Sequence, residues 1–182
     1  MRIILVLAAL LLINAANANP VPTSDDIDRF VSERGFLARV GDVGEKVEAK
    51  ASELVVNAMG FLGVPYKRGG TNSDTGFDCS GFVRTIYEQT AGLVLPRSAN
   101  QQAAASEKID RSDLKPGDLV FFNPMRRAFS HVGIYVGEGN FIHAPKPGAK
   151  VRVENMTGAY WARRFDGARR VPVEPVASGA TP

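Results

Sequence analysis

Cysteine is nearly missing from this chain: 182 residues contain one, together with two histidines and one tryptophan. A lone cysteine cannot close an internal disulfide, so Cys79 pairs with another chain, lies buried, or works as a free thiol. Net charge is also scarce, at +3 from 22 basic and 19 acidic residues. That is too little to argue for a nucleic-acid partner. The longest apolar run, residues 3–13, falls short of the roughly 20 apolar residues a membrane span needs. The glycine-rich stretch Y-K-R-G-G-T-N-S-D-T-G-F has no Gly-Lys-Ser/Thr and is no phosphate loop. Zinc sites often include a locally spaced ligand pair, and none occurs here. There is no internal repeat.

What the chain does have starts with an export pattern. Arg2, the apolar run 3–13 and the small-x-small triplet Ala16-Asn17-Ala18 follow the order of a secretory signal peptide, 1–18, with cleavage after Ala18. No cysteine lies near that point to carry a lipid anchor. The expected product is soluble and periplasmic or secreted, with no transmembrane anchor. A polar lead-in, 19–49, with one short helix precedes a domain over about 50–171, and a disordered Pro/Ala/Gly tail closes the chain at 172–182. The composition, 45% hydrophobic and 23% charged, gives that domain a real core. Basic pairs Arg163-Arg164 and Arg169-Arg170 form either a solvated face or a contact for an anionic polymer.

Ala51, Leu54, Val55, Ala58 and Leu62 recur at helical spacing and predict a helix ending near Gly63-Val64-Pro65. Asp78 is a good N-cap for a second helix from Cys79 to about Gln89. Beyond Lys115-Pro116-Gly117 the period turns extended, with strands predicted at 118–122, 131–136, 140–144 and 151–153. Helices first and short antiparallel strands after them make the fold α+β.

Cys79, Phe82, Val83 and Ile86 share one helical face, as an inert core cysteine would. Its place at the first helical turn argues the other way. Unpaired amides and the helix dipole there lower a thiol pKa and can donate to an oxyanion. Such a nucleophile needs a base. His131 and His143 lie in strands joined by Gly137-Glu138-Gly139. A three-residue loop closing on Val136 and Asn140 puts odd positions of both strands on one face. His131 then falls opposite Pro145, and His143 lies one diagonal step away, roughly 7–8 Å between backbones. A two-residue loop would separate the rings onto opposite faces. Gly139 suits the left-handed third position of the longer loop.

V-P-Y-K-R-G-G, F-D-C-S-G-F-V, L-P-R-S, K-P-G-D-L-V-F-F, S-H-V-G-I-Y-V-G and F-I-H-A-P, in this order over about 50–171, resemble the NlpC-type cysteine peptidases of the bacterial cell wall. The resemblance implies a papain-like α+β fold, an endopeptidase acting on peptidoglycan stem peptides or crosslinks, and no cofactor. It implies Cys79 as nucleophile, His131 as general base and His143 as the polar group orienting the imidazole. Tyr66 would assist the oxyanion, and Asp78, Ser80 and Arg97 would lie against substrate. Asp118 and Gly69-Gly70 read as structural, and Tyr160-Trp161 as packing for the C-terminal segment. The lead-in is too short for a wall-binding module, so targeting would fall to the basic surface or to a separate adaptor protein. Three other readings compete: a zinc site on Cys79, His131 and His143, a non-catalytic peptidoglycan-binding module on the same fold, and a related lipid acyltransferase with a permuted chain, which the cysteine-first order here suits poorly.

Overall fold

The structure, a computed structural model, describes residues 36–172. The expected signal peptide and the tail beyond Pro172 lie outside those residues. From Val43 onward the chain forms one compact unit. Helix α1, Phe36–Met59, starts well before the predicted helix, so half of the expected lead-in is helical. Polar residues there hid the period; among the helix's described side chains, Leu54 and Ala58 turn fully inward. A turn at Gly60–Gly63 leads to a small hairpin, β1 (Thr71–Asn72) and β2 (Gly76–Phe77).

Helix α2, Cys79–Ala91, is bounded as its sequence requires. Asp78 is extended and its carboxylate accepts the Gly81 amide at 2.7 Å, while Gly92 ends the helix with φ 68°. Phe82, Val83 and Ile86 are fully buried, each contributing about 1.5–3 kcal/mol of apolar burial. Gly81 is a packing requirement: a Cβ there would lie 2.1 Å from the Gly70 carbonyl oxygen.

The short helix α3 (Ala99–Ala104) is followed by β3 (Glu107–Ile109), β4 (Leu119–Phe122), β5 (His131–Gly137), β6 (Asn140–His143), β7 (Arg152–Asn155), the single turn α4 (Ala159–Ala162) and β8 (Phe165–Arg170). These strands form a six-stranded sheet of order β3-β8-β4-β5-β6-β7, antiparallel throughout. The four strands predicted from the sequence are present; β3 and β8 were not foreseen. Strand β8, F-D-G-A-R-R, has no apolar alternation. Its charges are paired instead: Arg170 donates to both Asp118 oxygens at 2.8 and 2.7 Å, and Arg169 lies over the Phe129 ring at 5.1 Å. Those two arginines are therefore spent inside the fold, which answers for half of the basic end.

Alternation gives the sheet two faces. One carries Leu119, Phe121, Val132, Ile134 and Ile142 against α2 and Leu54 of α1. The other carries Val120, Phe122, Phe141 and Met156 with Trp161 and Phe165.

Candidate active site

The β5–β6 hairpin brings the histidines together by a route the sequence only half disclosed. Ile134 pairs with Ile142 and Tyr135 with Phe141, the register predicted for a three-residue loop. Gly137 then pairs with Asn140 across a register shift, so the turn itself is two residues, Glu138-Gly139, both with positive φ. An irregularity at Val136 absorbs the extra residue and keeps odd positions on one face. Gly133, opposite His143, is needed there: a Cβ would meet a Phe141 ring carbon at 2.6 Å.

His131 and His143 are 4% and 0% exposed, and Nε2 of His131 lies 2.7 Å from Nδ1 of His143. Their rings meet edge to face at 84°. Nε2 of His143 is 2.9 Å from Oε2 of Glu154, a residue absent from the sequence reading. That carboxylate also accepts Trp161 Nε1 at 2.8 Å and Arg152 Nε at 3.0 Å. Strand pairing places it: Arg152 stands opposite His143 and Glu154 opposite Phe141, one diagonal step from the imidazole. Trp161 does more than pack the C-terminal segment, because its indole stacks on His131 at 5.4 Å and 22°. No sequence signal marked Glu154 except its parity with His143 in a strand predicted to end at Val153.

Cys79 approaches from the other face. Its side chain is partly buried against the core that α2 shares with Val132, next in the chain after His131, and the backbone amides of Val132, Ser80 and Cys79 itself act to lower its pKa. The expected lowering of the thiol pKa is reversed. Burial, then the Asp78 carboxylate, pushes Cys79 up to about 11 against the three amides. Burial also lowers His131 to about 3, with His143 adding to the effect, and it lowers His143 despite Glu154. Glu154 is held at about 2, chiefly by its hydrogen bond from His143. The resting site is a neutral thiol, two neutral imidazoles and one carboxylate.

A cleft of roughly 860 Å³ opens above the sulfur, lined by Asp78, Cys79, Ser80, Arg97, Phe129 and Ser130 among others. Arg97 clamps Asp78 with both nitrogens, at 2.9 and 2.5 Å, and donates to Ser80 Oγ at 3.0 Å. The Asp78 pKa is lowered by these bonds in spite of burial. These three residues thus form one wall of the cleft while holding each other. Tyr66 is part-buried and packs against the same core cluster as Cys79, and burial, followed by Cys79 and Asp78, raises its pKa. Ser130, unnoticed in the sequence, has a buried hydroxyl without a partner among the described residues. Another cavity, about 740 Å³ between α1 and the sheet, contains neither histidine nor cysteine, and its Asp118 and Arg170 are already paired.

A three-ligand metal centre needs donors that converge. His143 engages both ring nitrogens in hydrogen bonds, one with His131 and one with Glu154, and among the described residues no three His, Cys, Asp or Glu side chains are grouped so that they could hold a metal ion.

Residues 63–170 match the NlpC/P60 family. Over 135 residues the chain is 42% identical to the gamma-DL-glutamyl hydrolase of Bacillus subtilis, covering 70% of this chain and 32% of that one. It is also 42% identical over 126 residues to the murein DD-endopeptidase MepH of Escherichia coli, covering 67% and 46%. The chain thus spans less than half the length of these curated relatives. Among solved structures, the NlpC/p60 domain of the peptidoglycan hydrolase SagA superposes with a TM-score of 0.59 at 36% identity, over 66% of this chain and 98% of that one. A NlpC/P60 family protein from Bacillus cereus gives 0.61 at 37% identity, over 66% and 39%.

Proposed function

The chain belongs to the NlpC/P60 family, and from that membership we propose that it is an exported cysteine endopeptidase that hydrolyses peptide bonds of peptidoglycan. The observation that carries this reading is the imidazole pair 2.7 Å apart where β5 begins and β6 ends, with Val132, next in the chain after His131, in the core cluster against which Cys79 packs. Cys79 is the nucleophile and His131 the general base. Because Nε2 of His131 faces His143, its Nδ1 is the nitrogen left for the thiol.

Catalysis starts from the neutral pair. His131 Nδ1 takes the thiol proton as sulfur attacks the carbonyl carbon, and the carbonyl oxygen collects the negative charge. The Cys79 and Ser80 amides and the Tyr66 hydroxyl are the donors for that oxygen. The imidazolium then gives its proton to the departing amine, and water hydrolyses the thioester with His131 again as base. Asp78, Ser80 and Arg97 wall the substrate cleft. Export rests on the pattern at 1–18, and no helix among the described residues is long and apolar enough to cross a membrane. Arg169 and Arg170 are engaged internally, so delivery to the wall rests on the remaining basic pair, Arg163-Arg164, or on a separate adaptor protein.

The test is incubation of the mature protein with defined muropeptides, with the products weighed by mass spectrometry. Cleavage products from the wild type and none from Cys79→Ala are expected. Wall binding without any product would make the chain a binding module instead.

A further inference from the structure

Two neutral histidines in contact have an ambiguity of tautomer. Each neutral ring is donor at one nitrogen and acceptor at the other. The His131–His143 hydrogen bond can therefore run in either direction. If His143 Nδ1 carries the proton and donates, His131 Nε2 accepts, and the His131 proton sits on Nδ1. That ring faces the thiol with an N–H and cannot act as a base. If His143 Nδ1 accepts, His131 holds its proton on Nε2, and Nδ1 is free to take the thiol proton. The 2.7 Å distance is satisfied equally by both arrangements, and only one of them works.

We propose that Glu154 is a positioning residue that selects the working arrangement by fixing the tautomers of both rings in sequence. The inference rests on the reading of His131 as general base. An ionised carboxylate can only accept. Oε2 of Glu154, 2.9 Å from His143 Nε2, requires the proton on that nitrogen. His143, a neutral ring, is then bare at Nδ1 and must accept from His131 Nε2. His131 is bare at Nδ1 in turn. Glu154 is itself held in its accepting state by two donors that cannot act otherwise, the Trp161 indole at 2.8 Å and the Arg152 guanidinium at 3.0 and 2.8 Å. Its depressed pKa agrees with that state. Glu154 takes up no proton during the reaction: the thiol proton goes to His131 Nδ1 and then to the leaving amine.

The decisive comparison uses His143→Asn. Asparagine Oδ1 stands two bonds from Cβ, as histidine Nδ1 does, so it occupies the accepting position against His131 Nε2. It has no tautomer to choose. Glu154→Ala in the wild-type chain is expected to lower kcat/KM for muropeptide cleavage by roughly 10- to 100-fold, as loss of a residue orienting a catalytic ring does. Placed on His143→Asn, the same change is expected to cost no more than about twofold, a coupling that a merely structural role does not produce. Glu154→Gln, which keeps an acceptor, is expected to fall between. Imidazole ¹⁵N spectra supply a readout independent of turnover: Nε2–H on both rings in the wild type, and Nδ1–H appearing on His131 in Glu154→Ala. An equal penalty in both backgrounds, or an unchanged His131 tautomer in Glu154→Ala, overturns the proposal. If Glu154→Ala does not fold, the Glu154→Leu spectrum decides, since leucine fills the space and offers no acceptor: a His131 tautomer population matching the wild type, with full activity, also overturns the proposal. Should Cys79→Ala cleave normally, the general-base reading fails while the spectra still report whether Glu154 sets the tautomers.

Discussion

The two faces of the sheet come from the same strands and obey different rules. Against α2, Val132, Ile134 and Ile142 meet Phe82, Val83 and Ile86. What matters there is volume, because dispersion and burial have no direction. On the opposite face Phe122, Phe141 and Trp161 enclose two imidazoles, and what matters is which atom donates. A swap that conserves volume is tolerated on the first face. On the second it leaves a buried group unpaired, at the full desolvation cost of that group. The first face seats the sulfur and the second holds the two imidazoles.

That contrast predicts separable failures. Cys79→Ala has the largest expected effect on activity, complete loss of muropeptide cleavage, with a thermal transition close to wild type because a small side chain replaces a part-buried one. Phe82→Ala should do the reverse. It removes a fully buried ring and should cost about 3–5 kcal/mol in denaturant unfolding, leaving the acid limb of the activity profile in place for the folded fraction. Acidification should act through the second face. His131 stands at about 3 against an ordinary 6.5, and Glu154 at about 2 against 4.5. Both are depressed on folding, so the unfolded chain takes up protons first. Their stabilisation is complete above about pH 6.5, declines as pH falls, and is lost toward pH 3 and then 2. The melting temperature should fall through that window, and His131→Asn should flatten its upper part. A melting temperature constant from pH 6 to 4 would remove the buried neutral imidazole from the account.

Legibility divided along the same line. Apolar spacing announced the helix face, and the Asp78 cap, four of the six strands and the hairpin parity were read from residue types alone. Glu154 was not, because a carboxylate on a strand looks solvated until its cross-strand neighbour is known. The irregularity at Val136 was hidden because Gly137-Glu138-Gly139 accommodates either turn length. Strand β8 was hidden because its arginines resemble a surface run until Asp118 is seen to face them. The thiol pKa was misread for a general reason: the sequence shows the helix terminus but not how much water it retains.

Asp78 serves both the packing of α2 and the charge beside the thiol, and changing it gives the smallest and sharpest test. It caps α2, is clamped by Arg97, and its charge stands second to burial in raising the Cys79 pKa. Asparagine caps a helix about as well as aspartate, so Asp78→Asn keeps the Gly81 bond. The Arg97 pair is part-exposed, at 39% for its arginine, and screening limits its worth to about 1 kcal/mol or less. The stability change should therefore be slight. The thiol should respond more clearly, because removing a negative charge beside it and leaving the Arg97 cation favour the thiolate. In the wild type, alkylation of Cys79 by iodoacetamide should keep rising into alkaline pH, as a pKa of about 11 requires. In Asp78→Asn that rise should move to lower pH. Unchanged curves would mean that burial alone sets the thiol, with the cap contributing nothing to its chemistry.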